Sequence, residues 1–542
     1  MDDNSFDYHF PFDIPRRGQR EVCKRIVNAY KSGKKYVVLQ APTGSGKSVI
    51  SHTVASYFAN SDMETFVLTS QKGLQDQYVK DFVDTTYPVE TVKGAANYRC
   101  DLDKKRSCAV GVCKVSKGLK QPCNCPYVKA RNKVYKNSTV SILNYTYFLN
   151  MSALTIKQRA DAMPEDKILQ KKRGLLVIDE CHNLESELLT WAGLEISVKK
   201  FKEQDLKCPK LPNKNESEKQ IIKWVEGSLT TNLTNQYNKL MASIATMDAD
   251  DPNARKESMR AEFISTLISS TERLLEQHEQ GVPVSVNNTQ LGSITVKPLK
   301  AASYADEFVF DFGEQVLLMS ATVLNIKQFC SDNGLDRKDV EYIEMPCLFP
   351  KENRPIYDVS GKVGKINYNT MATVKPKIKT FVQRILKQHK GERGIIHTQS
   401  YDLANYLLEE LNDPRLFVPK GINRDVEIQR FLADDEYSDG VLLSPSLTEG
   451  IDLNGDLGKF CVICKAPFAS LGDPFVKKRH EIDPQWYQIE TLRKLIQSAG
   501  RVTRSETDKS VTYILDPAVS YLLKNNVKYV PSWFYDAIKV VK

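Results

Sequence analysis

The chain has 542 residues, 41% of them hydrophobic and 26% charged, with a formal net charge of +9 and a mean hydropathy of -0.40. That length exceeds what one hydrophobic core serves, so several domains are expected, and no apolar run reaches the ~18 residues that would span a bilayer. The acidic start, "MDDNSFDYHFPFDIPRR", lacks the apolar stretch of a secretion signal, so a cytoplasmic setting (nuclear in a eukaryote) with no membrane partner is expected.

In chain order, "KKYVVLQAPTGSGKS" reads as an apolar strand, Tyr36 to Leu39, running into a glycine-rich turn and a helix from about Lys47 to Phe58. A phosphate-binding loop needs that setting. Across Ala41, Pro42, Thr43, Gly44, Ser45, Gly46, Lys47 and Ser48, the glycines free backbone N–H groups to face phosphate oxygens and the helix N-terminus favours an anion. Lys47 can reach the β and γ phosphates, and Ser48 can ligate Mg²⁺. Ala41 stands where the usual pattern has glycine; a chance match in a turn would lack the flanking strand and helix.

The next stretch, "VKGAANYRCDLDKKRSCAVGVCKVSKGLKQPCNCPY", holds Cys100, Cys108, Cys113, Cys123 and Cys125. In a reducing compartment such thiolates hold a metal more often than they form disulfides. Zinc and an iron–sulfur cluster both suit four thiolates, and spacing alone does not choose between them. From Arg99 to Lys136, eleven Lys or Arg face two Asp, a balance that suits a polyanion. Tyr98, Tyr127 and Tyr135 are interleaved with these charges as candidates to stack on bases, although packing is the commoner role of tyrosine.

"GLLVIDECH" is another apolar strand, ending in Asp179 and Glu180. Alone, such a pair is usually structural. Beside a phosphate loop, Asp179 can give the second Mg²⁺ contact while Glu180 orients and deprotonates water. Between Ile196 and Pro298 the character turns helical: Ile222, Val225, Leu229, Leu233, Tyr237, Leu240 and Ile244 draw one apolar seam. "DADDPNA" then reads as a turn, and Met259, Phe263, Leu267 and Leu274 mark a second helix. Short apolar strands resume after Pro298, a pattern of parallel sheets covered by helices. In "QSAGRVTR", Arg501 and Arg504 share a face if the segment is helical, and an arginine from a second lobe can stabilise charge on a γ phosphate.

Taken in order, "PRRGQ", "APTGSGKS", "LTSQKGLQDQ", "KGAANYRC", "CPY", "LNYTYFL", "VIDECHNLE", "MSAT", "TEGIDLNG" and "QSAGRVTR" give the chain a resemblance to the iron–sulfur DNA helicases of superfamily 2, of the XPD and DinG type. The resemblance implies an α/β fold of two RecA-like parallel-sheet motor domains, with an Fe–S cluster insertion and a helical arch insertion in the first. Motor domain 1 would take residues 1–92, 151–195 and 299–344, the cluster domain 93–150, the arch-like insertion 196–298, and motor domain 2 residues 345–542. ATP and Mg²⁺ would bind between the motors, with Gln19 reading adenine and Ser48 and Asp179 holding the metal. Lys47, Asp179, Glu180, His182, Gln497, Arg501 and Arg504 would carry catalysis, Arg504 as the finger. Ser320, Ala321 and Thr322 would couple hydrolysis to movement, His182 would link the ATP site to the DNA path, and Gly450 and Asp452 would lie beside nucleic acid or nucleotide.

In this family four cysteines hold a 4Fe–4S cluster, the first after "NY" and the last before "PY". That selects Cys100 and Cys125, with Cys108 and Cys113 between and Cys123 left over. Cys181, where many relatives have alanine, reads as a small buried residue. The cysteine insertion is compact and the arch short, and the segment ahead of the phosphate loop has no room for the nuclease some DinG-like proteins carry. The implied activity is that of an ATP-dependent DNA helicase, a monomer serving DNA repair or replication, moving 5′ to 3′ on single-stranded DNA and opening forked duplexes. The alternative is a DNA-stimulated translocase that remodels protein–DNA or RNA–DNA structures without processive unwinding. Intact Lys47, Asp179, Glu180 and Arg504 weigh against a third reading, a non-catalytic nucleic-acid-binding scaffold.

Overall fold

Tyr36–Gln40 (β1) is buried along its whole length, as a strand covered on both faces must be. Tyr36 and Val38 enter one core while Val37 and Leu39 enter the other, the two-residue period of a strand. The computed structural model describes residues 7–70, 72–111, 125–164, 170–247, 252–288, 292–347, 349–367, 369–419, 424–433, 438–445, 453, 455–500 and 508–541. After β1 come Thr65–Thr69 (β2), Val89–Thr91 (β3), Val140–Asn144 (β4) and Arg173–Ile178 (β5). The chain then passes through a largely helical region that carries Leu194–Ser197 (β6), Val284–Asn287 (β7) and Ser293–Pro298 (β8), and returns with Gly313–Ser320 (β9) and Val340–Glu344 (β10). β1 to β5 with β9 and β10 form one parallel sheet in the order β10-β1-β9-β5-β2-β4-β3.

A second seven-stranded sheet follows, built from Ile356–Asp358 (β11), Gly394–His397 (β12), Leu416–Phe417 (β13), Val441–Ser444 (β14), Phe460–Ile463 (β15), Val511–Ile514 (β16) and Ile538–Val540 (β17). It is again parallel, in the order β13-β14-β12-β15-β16-β11-β17. Each sheet carries a hydrophobic core on both faces. The expected pair of parallel α/β halves is therefore present, and the loops at the C-terminal ends of β1, β5 and β9 meet on one edge.

The intervening region has its own core. Ser217 and Gln220 form a capping box that starts the helix Glu218–Trp224, which runs through one π turn, Val225–Leu229, into Thr230–Ile244. The expected seam is buried at Ile222, Val225, Leu229, Leu233, Leu240 and Ile244 and partly buried at Tyr237. It packs on the helix Pro252–Glu279 through Leu274, Phe263 and Leu267, whereas Met259 is exposed and lies off the seam. A purely helical reading also missed β6, β7 and β8, an antiparallel sheet in the order β6-β8-β7. Its two-residue alternation, with Ile294, Val296 and Pro298 turned inward, occupies too few residues to stand out between long polar helices.

One helix of the second half, Pro474–Ile482, joins all three parts. Lys478 pairs with Glu218 and donates to the Val284 carbonyl at 3.2 Å, both in the helical region. Its neighbour Arg479 is buried and pairs with Glu185 at 2.8 Å and Asp332 at 2.5 Å, both in the first half. Trp486 Nε1 donates to Glu185 at 3.3 Å. Two enclosed carboxylates thus share one guanidinium. Burial first, then the nearby Asp332, pushes Glu185 up to about 8 against the pull of Arg479.

A carboxyl raised in the folded state contributes stability that is complete below its ordinary range and is lost as pH rises through the raised value. Thermal melts between about pH 5 and 8 should therefore show a falling midpoint in the unaltered chain and a flatter profile in Glu185→Gln, which cannot ionise. Parallel profiles for the two proteins would show that Glu185 does not titrate there.

Candidate functional site

The loop after β1 is shaped by Gly44 and Gly46, both in the left-handed region at φ 77° and 79°, and Gly46 caps the helix Lys47–Ala59. A side chain at Gly46 would place Cβ 2.3 Å from Gln19 Nε2, so glycine is needed for space as well as for conformation. Gln19 is buried, donates to the Ser45 carbonyl at 3.0 Å and accepts from the Arg16 N–H at 2.8 Å. Arg16 in turn donates to the Gly44 carbonyl. Both side chains brace the loop through its carbonyls; the Ser45 N–H turns inward to the Pro42 carbonyl at 3.2 Å, and the helix start is left for an anion. Lys47 and Ser48 open the helix, and Ala41 is tied to β9 by its N–H on the Ser320 carbonyl at 2.9 Å.

β5 delivers Asp179 to the same edge. Its carboxylate is buried, accepts from Tyr78 OH at 3.1 Å and from the Glu180 N–H at 3.0 Å, and its carbonyl accepts from Tyr145 OH at 3.0 Å. Burial, with Glu180 as the second cause, raises Asp179 to about 6, while Lys47 pulls the other way. Glu180 sits in a tight turn at φ 49° and lies 3.7 Å from Lys47 Nζ and 3.3 Å from His182 Nδ1. Cys181 is fully enclosed and its thiol is pushed well up by burial, consistent with a small core residue.

From His182 a polar chain crosses to the second half. Its Nδ1 is 2.9 Å from Ser320 Oγ, which accepts the Thr322 N–H at 3.0 Å. Gln497, on the helix Pro484–Ala499, donates through Nε2 to His182 Nε2 at 2.8 Å and to Thr322 Oγ1 at 3.2 Å. A proton accepted at Nε2 leaves Nδ1 as the donor toward Ser320 and Glu180. Ala321 is buried between these residues. A side chain at Gly500 would come within 3.7 Å of Thr43 Oγ1, so the start of "GRVTR" rests against the phosphate loop. Arg501, Arg504, Gly450 and Asp452 lie outside the described residues.

Of the five clustered cysteines, Cys113 and Cys123 also lie outside the described residues. Cys100, Cys108 and Cys125 are buried. Cys125 Sγ is 3.6 Å from Cys108 Sγ, and a side chain at Gly111 would meet Cys100 Sγ at 3.3 Å. Burial and the neighbouring Cys125 push the Cys108 thiol up to about 11. Among the described residues no three acidic, histidine or cysteine side chains are already closed around one ion position. Three enclosed soft donors from separated stretches of chain, none in a disulfide, nevertheless have the chemistry of thiolate metal ligands. Tyr127 and Tyr135 belong to the packing of the first half, their hydroxyls on Tyr147 at 3.3 Å and Gln170 at 3.3 Å, and Tyr98 OH accepts the Lys93 N–H at 3.1 Å.

The sequence reading missed Tyr78, Tyr145 and Arg16. Each works through a backbone carbonyl or carboxylate far along the chain, and only the strings "LQDQ", "LNYTYFL" and "PRRGQ" placed them in or beside a motif.

Comparison with known proteins adds family likeness to this geometry. Residues 13–207 match the family described as type III restriction enzyme, res subunit, and residues 382–537 match the helicase C-terminal domain. The chain is 20% identical to the ATP-dependent DNA helicase YoaA of Haemophilus influenzae over 93% of its own length and 91% of the relative's. It is 25% identical to the ATP-dependent DNA helicase DinG of Photobacterium profundum over 41% of this chain and 34% of that one. A solved XPD helicase shares the fold with a TM-score of 0.64 at 16% identity, over 98% of this chain and 100% of the other. With two RecA-like sheets, a polar chain joining them and similarity to helicases along its length, the chain resembles the XPD/DinG-like helicases of superfamily 2.

Proposed function

We propose that this chain is an ATP-driven motor that moves 5′ to 3′ on single-stranded DNA and separates the strands of a forked duplex. The observation that carries the reading is the unbroken polar path from Lys47 through Glu180, His182 and Ser320 to Thr322 and Gln497. Lys47 and the free N–H groups of the loop and helix start would bind the phosphates, and Asp179 and Ser48 would hold Mg²⁺, which would neutralise phosphate charge. Glu180 takes the proton of the attacking water, and Lys47 at 3.7 Å keeps its carboxylate turned toward the site. Gln497 brings the second half to His182, so hydrolysis depends on the two halves meeting. Arg501 and Arg504, five and eight residues after the Ile496 that anchors the helix in its core, would complete the site from that side, Arg504 facing the γ phosphate. Polarity is the expectation that the family likeness brings.

Gln19 acts on the nucleotide through the loop it braces, with adenine beside it. Cys100, Cys108, Cys113 and Cys125 are assigned to a 4Fe–4S cluster, on the strength of three enclosed thiols and the family likeness. When bound, the cluster supplies a covalent staple for residues 93–150; their part is to hold a basic surface, rich in Lys and Arg, toward the duplex.

Protein purified without oxygen should separate duplexes with a 5′ tail and leave 3′-tailed ones intact, while Lys47→Ala turns over no ATP yet binds single-stranded DNA within about twofold of the unaltered chain. DNA-stimulated turnover with no strand separation would move the reading to a translocase; no turnover at all would end the motor reading. Metal and sulfide analysis should find roughly four of each per chain. Cys108→Ser should lose both, along with strand separation, and keep much of the ATP turnover. Zinc in place of iron would contradict the assignment.

A further inference from the structure

The helix Pro484–Ala499 reaches the first half through a second side chain. Arg493 precedes Gln497 by four residues, one turn of helix, and so shares its face. It is 9% exposed, and its Nε donates to the Thr322 carbonyl at 3.1 Å. Its Nη1 pairs with Glu490, which fixes the guanidinium plane from its own helix. Its charge is felt at Cys181 and Asp332, where it opposes the upward shift that burial imposes. Arg493 therefore lies against the segment that follows Ser320.

Thr322 has every polar group held: its N–H on Ser320 Oγ, its hydroxyl by Gln497, its carbonyl by Arg493. The hydroxyl contact fixes a rotamer, whereas the carbonyl contact fixes the main chain that presents the Thr322 N–H to Ser320 Oγ. A charged donor on an enclosed carbonyl is a strong contact, and removing it leaves the carbonyl unsatisfied.

We propose that Arg493 is a positioning residue for ATP hydrolysis: holding the Thr322 main chain, it keeps Ser320, and through it His182 and Glu180, in reacting register while the two halves are together. The role rests on the reading of residues 41–48 and 179–180 as an ATPase site. Arg493 touches no reacting atom. Its neighbours in sequence, "ETLRKLIQ", carry no motif, and only the four-residue step to Gln497 marks it.

The test uses the full chain as Arg493→Gln, Arg493→Lys, Ser320→Ala and the Arg493→Gln/Ser320→Ala pair, with thermal midpoints and ATP turnover measured with single-stranded DNA. Arg493→Gln is expected to lower kcat about tenfold or more and to change KM for ATP less than about threefold. Lysine, a flexible point charge, should restore part of the loss. In the Ser320→Ala background the Arg493→Gln loss should largely vanish, because both act through one segment. Full additivity of the two changes, a loss carried by KM, or a loss that follows the thermal midpoint across the variants would overturn the positioning role. Absence of turnover in the unaltered chain is a separate result and would overturn the ATPase reading together with this role.

Discussion

The contact on which the rest depends is the one Gln497 makes with His182 at 2.8 Å. It is the point where a side chain of the second half enters the polar chain of the first, and it exists only when the two sheets face each other. Everything on the first side is prepared in advance: the loop is braced by Arg16 and Gln19, Asp179 is held by Tyr78 and by the Glu180 N–H, and Glu180 is turned by its own backbone. What is left to be supplied from outside is orientation of His182 and Thr322. If the proposed ATPase site is complete only when the halves meet, chemistry is tied to domain movement without any moving part of its own.

Electrostatics favours this arrangement because the charges are few and enclosed. Asp179 pays for burial with a raised affinity for a proton, and a divalent ion would reverse that preference by replacing the proton. The junction around Arg479 shows the same economy at a distance: one guanidinium serves Glu185 and Asp332, on the helices Leu184–Ala192 and Ile326–Asp332. Lys478 beside it reaches the helical region instead. Adjacent side chains on one helix point about 100° apart, so this single turn can address two bodies.

Much of this was legible before the structure because it is local. A strand, a glycine turn and a helix start within a dozen residues announce a phosphate loop, and apolar strands ending in Asp-Glu announce its acid. The long seam from Ile222 to Ile244 was legible for the same reason, as a repeat of three and four. The braces were not. Tyr78 and Asp179 are 101 positions apart, Arg493 and Thr322 171, and nothing in a single sequence says which tyrosine or arginine closes such a gap. Tyr127 and Tyr135 turn inward, in keeping with packing as the commoner role of tyrosine. The short strands β6 to β8 disappeared because four residues of alternation carry little signal.

The most direct measurement of the central claim is ATP turnover by Gln497→Ala with and without single-stranded DNA, alongside nucleotide binding. If closure through Gln497 arms the site, the variant binds ATP as the unaltered chain does, and its DNA-stimulated turnover falls about tenfold or more toward the unstimulated rate. Full stimulation by DNA in Gln497→Ala would show that the two halves communicate by another route.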